Sequence, residues 1–447
     1  MLSPRASESV QFISFDGGVT ETCERWRPDR YRAIEHALPD ARSAIARGGG
    51  YSYSAASFGA GSSVVDLTDF TRVLAFEPDA KRIEVQAGAT LGDVLSVTGP
   101  ENLVLSVQPG YPRITIGGCI AANVHGKNPY LEGTFADQVE SFVLFHPRYG
   151  TRGIDRSSDP GLFELTCGGL GLSGVILSST VRLKNIAGWE ARVERIEIAS
   201  LAEGLRTVRS MTEGSAFAYT WHDGVPRHSS FGRGFVYRGS LVEGAPFPKS
   251  RKRYRTIDAS SRGAIPLSLL GGATAGLLTR FFWTTERLKS KTVTMPLFDA
   301  MFPFASRKEY FLLFGRRGLA EAQVIVPDDE AEGFLAELER RLRRERPPSV
   351  MISMKRFRGM QRLLSFEGDG VCVTIDFARD DATSRFLAAF DEMCITAGAL
   401  PNVIKDSRIS RETVERCYPD YKEFRERLRA YDPERLFRSE LSQRLGI

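Results

Sequence analysis

At 447 residues, with 42% apolar and 26% charged residues, the chain has the make-up of a soluble globular protein and is too long for one ordinary core, so two domains are expected. Its 60 basic and 55 acidic residues leave a formal charge of +5, which makes no demand for nucleic acid as a partner. The six cysteines (Cys23, Cys119, Cys167, Cys372, Cys394, Cys417) lie far apart, without a C-x-x-C pair or a His/Cys cluster at metal-ligand spacing, so free thiols and no metal site are expected. The opening MLSPRASESVQFISF lacks a sustained apolar run and carries Arg5 and Glu8, which argues against a secretory signal.

In chain order, the hydrophobic pattern predicts a helix over Tyr31–Ala37. An apolar run, Ala44-Ile45-Ala46, then delivers Arg47-Gly48-Gly49-Gly50-Tyr51-Ser52-Tyr53-Ser54. Glycine reaches backbone angles that turn successive N–H groups inward, as an anion-binding nest requires, and Arg47 and Ser52 would complement phosphate charge. A plain glycine-rich surface turn accounts for the same residues, and the local sequence does not choose between the two. Short β-type runs follow at 63–67 and 82–88, and Thr90 opens a helix at Leu91.

Residues 110–128 read GYPRITIGGCIAANVHGKN. Gly117, Gly118, Ala121 and Ala122 suit a backbone that must approach something closely, and Thr115, Asn123, His125 and Asn128 offer hydrogen-bonding side chains among them. Paired glycines and the Tyr111-Pro112 step argue against a core helix, so a loop-rich cofactor wall ending at His125 is expected. Gly126-Lys127-Asn128 is not a phosphate-binding P-loop. That motif needs Ser or Thr after the Lys and a Gly five residues before the Gly-Lys pair, where this chain has Asn128 and Ala121.

Residues 139–145 read as a strand, with a turn at 147–150. Gly169-Leu170-Gly171-Leu172-Ser173-Gly174 satisfies G-x-G-x-x-G, yet it opens a β-branched strand where the dinucleotide fingerprint must open a helix, so the Rossmann reading fails. Further on, 330–344 is helical by period. Residues 371–377 alternate strictly, which puts Cys372, Thr374 and Asp376 on one face of a strand and the apolar residues on the other.

The order R-G-G-G-Y-S-Y-S, V-V-D-L-T, V-Q-A-G-A-T, I-G-G-C-I-A-A-N-V-H-G, C-G-G-L-G-L-S-G-V-I resembles the FAD-binding domain of the vanillyl-alcohol oxidase / p-cresol methylhydroxylase superfamily (PCMH-type). Within it the chain is most similar to the family of decaprenylphosphoryl-β-D-ribose 2′-oxidases, which carry H-G-K-N after the glycine wall and K-D-S-R near the C-terminus. Here these stand at His125 to Asn128 and Lys405 to Arg408, and Tyr431-Asp432-Pro433-Glu434-Arg435-Leu436-Phe437 resembles the superfamily's closing motif.

The resemblance implies an α+β, two-domain fold. An FAD-binding domain would span 1–188, a substrate domain with an antiparallel sheet 189–399, and a C-terminal segment, 400–447, would return to the first domain. Arg47, Gly48, Gly49, Gly50, Tyr51, Ser52, Tyr53 and Ser54 would hold the pyrophosphate. Gly110, Thr115, Ile116, Gly117, Gly118, Ala122, Asn123, Val124 and His125 would line the FAD, with further contacts from Val175 and Asn402. Many relatives anchor flavin covalently through a His in the first glycine loop; this chain has Tyr51 and Tyr53 there, so non-covalent FAD is expected.

Oxidising a secondary alcohol needs a hydrogen-bonding or basic group at the hydroxyl. Lys405 matches the family's active-site lysine, and with His125 is the expected catalytic pair. Lys355 and Phe357 match the family's K-x-F-G region with one inserted residue, and a Lys there would suit a substrate phosphodiester; Gln323 matches a substrate-pocket Gln ahead of a V-I-P strand. Thr374 stands where mycobacterial members carry a cysteine attacked by nitroaromatic inhibitors, so adducts at that position are not expected, and Cys372 on the same face is the thiol to watch.

The implied reaction is oxidation of the 2′-hydroxyl of a polyprenylphosphoryl-β-D-ribose to the keto sugar, completed to the arabinose donor for cell-wall arabinan by a partner short-chain-type keto-reductase. An alditol or aldonolactone oxidase using oxygen, and a lipid-surface protein that keeps flavin for structure, are the alternatives. Residues 263–279 are uncharged but too short and too broken by Pro266, Gly271, Gly272 and Gly276 to cross a bilayer. Their flanks carry Arg251, Lys252, Arg253, Arg255, Arg280, Phe281, Phe282, Trp283, Arg287, Lys289 and Lys291. Peripheral contact with an anionic membrane through 251–291, on the cytoplasmic or envelope side of the inner membrane, and a solvated loop over the active site are both compatible with that pattern.

Overall fold

The computed structural model describes residues 7–38, 41–248, 268–270, 273–303, 305 and 309–447. The hairpin β1 (Glu8–Ile13) and β2 (Thr20–Trp26) joins β3 (Ala44–Arg47) and β4 (Ser63–Asp66) in a mixed sheet ordered β1-β2-β4-β3. A second, antiparallel sheet follows. It is built from β5 (Val73–Glu77), β6 (Arg82–Gln86) and, after the short β7 (Leu103–Val104), β8 (Val139–His146), β9 (Gly150–Asp155) and β10 (Val175–Arg182), in the order β5-β6-β10-β8-β9. β11 (Lys184–Asn185) pairs back with β7. The strand expected after the G-x-G-x-x-G run is β10, in keeping with its β-branched sequence.

The third sheet has eight strands. β12 (Glu190–Ile198), β13 (Phe217–Asp223), β14 (Gly234–Val242), β15 (Thr292–Pro296), β16 (Leu319–Val326), β17 (Ser349–Phe357), β18 (Gly370–Ala378) and β19 (Leu400–Pro401) are ordered β15-β12-β14-β13-β17-β18-β16-β19. Every neighbouring pair in it is antiparallel. One face, with Ala322, Val324, Ile352, Met354, Val373 and Ile375, is buried in the main core together with Phe334, Leu338, Phe386 and Phe390 of the helices Ala331–Glu345 and Asp381–Thr396. Side chains alternate along a strand, so the other face is free to carry polar groups. The fold is α+β.

The last residues come back to the first sheet. Ala44 N–H donates to Leu436 and Arg438 N–H to Ala44 (2.9 Å each), and Glu440 N–H donates to Phe58 (2.8 Å). Nearer the cavity, Tyr53 N–H (3.0 Å) and Ser54 N–H (3.1 Å) both donate to the Ile404 carbonyl.

Two readings of the sequence are corrected here. Residues 110–128 are not all loop: Ile116–Ala121 is a short helix whose N-cap Thr115 accepts from Gly118 N–H (3.3 Å). Ile116, Cys119 and Ile120 sit at helical spacing and are fully buried, while Gly117 and Gly118 border the cavity. The paired glycines masked the apolar stripe beside them. Gln323 lies inside β16, not ahead of it.

Of the segment 251–291, residues 251–267 and 271–272, and with them Arg251, Lys252, Arg253, Arg255, Pro266, Gly271 and Gly272, lie outside the described residues. Beyond them runs a helix, Ala273–Leu288, so Phe281, Phe282 and Trp283 are part of a helix, not flanks of a loop. No helix among the described residues is long and apolar enough to cross a membrane.

Candidate active site

A cavity of about 1150 Å³ runs between the glycine loops and the polar face of the eight-stranded sheet. That is above the usual range for small-ligand pockets, about 300–1,000 Å³.

One wall is backbone. β3 delivers the loop from Gly48 to Tyr53, whose Gly48, Gly49 and Gly50 N–H groups find no acceptor among the described residues and border the cavity. Gly50 has φ +70°, and a Cβ on Gly48 would stand 2.1 Å from Thr115 Oγ1, so both positions require glycine. Three free, consecutive N–H groups form a nest fitted to a pyrophosphate. Arg47 borders the cavity and also braces the loop: Nη1 donates to Ser57 (2.7 Å) and the guanidinium lies 4.8 Å from the Phe12 ring centre. Burial pulls its pKa down to about 10, which leaves it cationic beside the nest at neutral pH. Ser52 Oγ donates to the Ile404 carbonyl (3.2 Å). Gly110, Thr115, Gly117, Gly118, Ala122, Asn123, Val124 and Gly171 continue the wall. These residues fit FAD: a glycine-lined wall that carries a phosphate nest and shares its cavity with a polar site.

The opposite wall is side chain. Register pairs Gln323 with Thr374, Glu321 with Asp376 and Lys355 with Cys372, bringing together residues far apart in sequence. Gln323 Nε2 donates to Thr374 Oγ1 (3.0 Å), and Gln323 Oε1 accepts from Asn402 Nδ2 (2.6 Å) and lies 3.4 Å from His125 Nε2. The His125 ring packs edge-on against Phe357 at 4.9 Å. Burial, reinforced by the Lys355 charge, lowers its pKa to about 3, so the ring is neutral at physiological pH.

Lys405 Nζ stands 3.7 Å from the centre of the Tyr53 ring and 3.3 Å from Glu321 Oε1. Lys355 borders the cavity with no hydrogen bond or ion pair among the described residues, and burial lowers its pKa. A partly desolvated ammonium without a counter-ion suits an anionic group brought by a ligand.

Ser54, Ile116, Val175, Phe357 and Cys372 were expected at the site and do not border the cavity; each is at most 1% exposed. Ile116 and Val175 are core, and Gly174 and Ile176, either side of Val175, face the cavity instead. Cys372 does point the same way as Thr374, but it is covered by Ile325, Phe357 and Phe366, and burial pushes its thiol up to about 12. The sequence reading set Asp376 on the face of Thr374 without giving it a role and missed Glu321 and Tyr310; all three are on the cavity wall. Glu321 was within reach, two residues from Gln323 on the same strand face, whereas Tyr310 arrives on a separate short helix, Glu309–Leu312. Its hydroxyl donates to Asp376 Oδ2. All six cysteines are free and buried.

Comparison with known proteins agrees with this geometry. Residues 31–149 match the family described as FAD binding domain. The chain is 28% identical over 428 residues to decaprenylphosphoryl-β-D-ribose oxidase of Mycolicibacterium smegmatis, covering 93% of this chain and 92% of that protein. It is also 32% identical over 142 residues to mitochondrial L-galactono-1,4-lactone dehydrogenase of Arabidopsis thaliana (32% of this chain, 23% of that one). A match of 32% over 124 residues is found to D-lactate dehydrogenase [cytochrome] 1 of Saccharomyces cerevisiae (26% of this chain, 21% of that one).

Proposed function

From the premise that this chain is an FAD-dependent oxidoreductase with a PCMH-type FAD-binding domain, we propose that it oxidises the 2′-hydroxyl of a polyprenylphosphoryl-β-D-ribose to the 2′-keto sugar. The observation that carries the reading is the mixed lining of the cavity. It brings His125, Gln323, Lys355 and Lys405, suited to a phosphorylated sugar, into one cavity with Leu278, Phe282, Val293 and Met295, suited to an apolar tail. Near full-length similarity to an oxidase named for such a substrate supports it.

Bound FAD supplies the hydride acceptor. Lys405 Nζ hydrogen-bonds the reacting hydroxyl and, once it has given up a proton of its own, takes the hydroxyl proton; neutral His125 and the Gln323 amide orient the ring, and Lys355 takes the phosphodiester. No His stands in the first glycine loop, so the flavin is held non-covalently. Residues 1–188 and the returning segment 400–447 form the FAD domain and 189–399 the substrate domain, with Asn402 and Lys405 reaching across to the side-chain wall. The ketone passes to a partner short-chain-type reductase, which completes the epimer.

The helix Ala273–Leu288 borders the cavity with Thr279, Phe281, Phe282 and Glu286, leaves Phe281 70% exposed, and turns Leu277 and Leu288 outward at 70% and 82% exposure beside Arg280 and Arg287. That amphipathic helix supports peripheral docking on an anionic membrane, from which a prenyl substrate is drawn. Replacing Leu277 and Leu288 by Asp should abolish binding to anionic vesicles while short-chain substrate is still oxidised.

The deciding experiment adds a short-chain prenylphosphoryl-β-D-ribose to the purified flavoprotein without oxygen. Bleaching of the oxidised flavin band is expected. Bleaching by an aldonolactone or alditol, with the prenylphosphoryl ribose inert, would replace this reading with the oxygen-using oxidase. A Lys405→Ala variant that keeps FAD and loses bleaching excludes a flavin held only for structure.

A further inference from the structure

The polar half of the cavity holds more acid than this chemistry has so far used. Glu321 and Asp376 stand directly opposite each other on β16 and β18, both border the cavity, and they are only 6% and 4% exposed. Glu321 Oε1 and Asp376 Oδ1 have no hydrogen-bond partner among the described residues. Lys405 Nζ, 3.3 Å from Glu321 Oε1, approaches the pair from the cavity side. Two buried carboxylates facing one another repel strongly when both are charged, and one ammonium offsets one of the two charges.

The other groups around the pair are few. Tyr310 donates its hydroxyl to Asp376 Oδ2, the Tyr53 ring lies under Lys405, and Lys355 and Cys372 feel the Glu321 charge. Burial first, and the Glu321 charge second, hold the Asp376 carboxyl far above the ordinary carboxylate range.

We propose that Glu321 and Asp376 hold one proton between them and serve, through Lys405, as the sink for the proton released by the substrate hydroxyl. This rests on the alcohol-oxidation reading above. As the C–H bond breaks, its electron pair leaves as hydride to the bound flavin. The Lys405 ammonium first gives an N–H proton to the acid pair, and the amine lone pair so freed takes the O–H proton as the oxygen's electrons close the C=O bond. Lys405 ends as it began, the pair has gained one proton, and release of that proton to water restores it. Neither carboxyl touches the reacting carbon, so both are positioning residues that act through Lys405.

The test uses the FAD-loaded wild type and Glu321→Gln, Asp376→Asn and Tyr310→Phe, each accepted as folded by its oxidised-flavin spectrum. Infrared titration needs no substrate. The difference spectrum, wild type minus Asp376→Asn, should display at neutral pH the C=O stretch of a protonated carboxylic acid that fades on going alkaline, apart from the band of Glu367, which burial raises to about 7 and which every variant keeps; in Glu321→Gln the fading should begin at lower pH. The anaerobic rate of flavin reduction by short-chain prenylphosphoryl ribose should rise through the same alkaline limb. Glu321→Gln, which removes the like charge, should move that limb to lower pH by about one unit, and Tyr310→Phe, which removes a donor to the carboxylate, to higher pH by about as much.

Opposite shifts from neighbouring variants are not what loosened packing produces. A difference spectrum without the band, or a limb unmoved in both Glu321→Gln and Tyr310→Phe, overturns the proton sink while leaving the substrate reading intact. A band that behaves as described, with flavin that stays oxidised on adding the ribose, supports the proton-sharing pair and sinks the substrate reading instead.

Discussion

The two walls of the cavity are built on different principles. The FAD wall is backbone, drawn from a few contiguous runs such as 47–53 and 115–125, and its specificity lies in where side chains are missing. The wall facing it is side chain, assembled by strand register that sets Gln323 beside Thr374, Glu321 beside Asp376 and Lys355 beside Cys372, and completed by Lys405 from the segment after β19. A backbone wall tolerates almost no added atom; a side-chain wall can be changed in chemistry without being changed in shape.

The largest expected effect lies on the side-chain wall. Lys405→Ala should slow anaerobic flavin reduction by about 10²–10⁴-fold, with FAD content unchanged in the visible spectrum. A variant that loses flavin instead would mean that the two walls are not separable. Gly48→Val attacks the other wall: its Cβ would stand 2.1 Å from Thr115 Oγ1. Loss of flavin from the purified protein and about 1–3 kcal/mol of lost stability are expected from thermal unfolding.

A smaller effect concerns acid. His125 titrates at about 3 in the folded chain against an ordinary 6.5, so between those values the unfolded chain binds a proton that the folded chain does not. The stability gained by keeping the ring neutral is full above pH 6.5 and is lost as pH falls toward 3. His125→Gln should therefore flatten the acid slope of the urea midpoint within that window, by at most about 1.4 kcal/mol per pH unit. An unchanged slope would mean that the ring is open to solvent. The smallest perturbation is a label. Native protein should take up no thiol reagent by mass spectrometry, since all six cysteines are buried, whereas Thr374→Cys should take up one. Labelling of Cys372 would refute its cover by Phe357 and Phe366.

The same contrast explains what could be read from sequence. The FAD wall was legible because a nest and a close approach need glycine at fixed spacing, and those residues are neighbours in the chain. Even there, the helix Ile116–Ala121 went unseen because Gly117 and Gly118 hid the stripe formed by Ile116, Cys119 and Ile120. On the other wall, alternation revealed which way Thr374 and Asp376 face, but not that Cys372 on the same face is capped by aromatics from β17 and the loop after it. The pairing of Glu321 with Asp376 is a fact of register, set by how two strands align, and neither strand carries it alone.

Tyr53 and Ser54, in the glycine loop, both donate their N–H groups to Ile404, the residue before Lys405. The loop that would close on pyrophosphate and the lysine that would meet the hydroxyl are thus laced together through one carbonyl. Binding that stiffens the first must also stiffen the second, so loading with FAD and arming of the lysine form a single linked equilibrium. Apoprotein should exchange its amide hydrogens faster at 400–408 as well as at 47–54, and a chain that has lost its flavin will have lost its poised lysine with it.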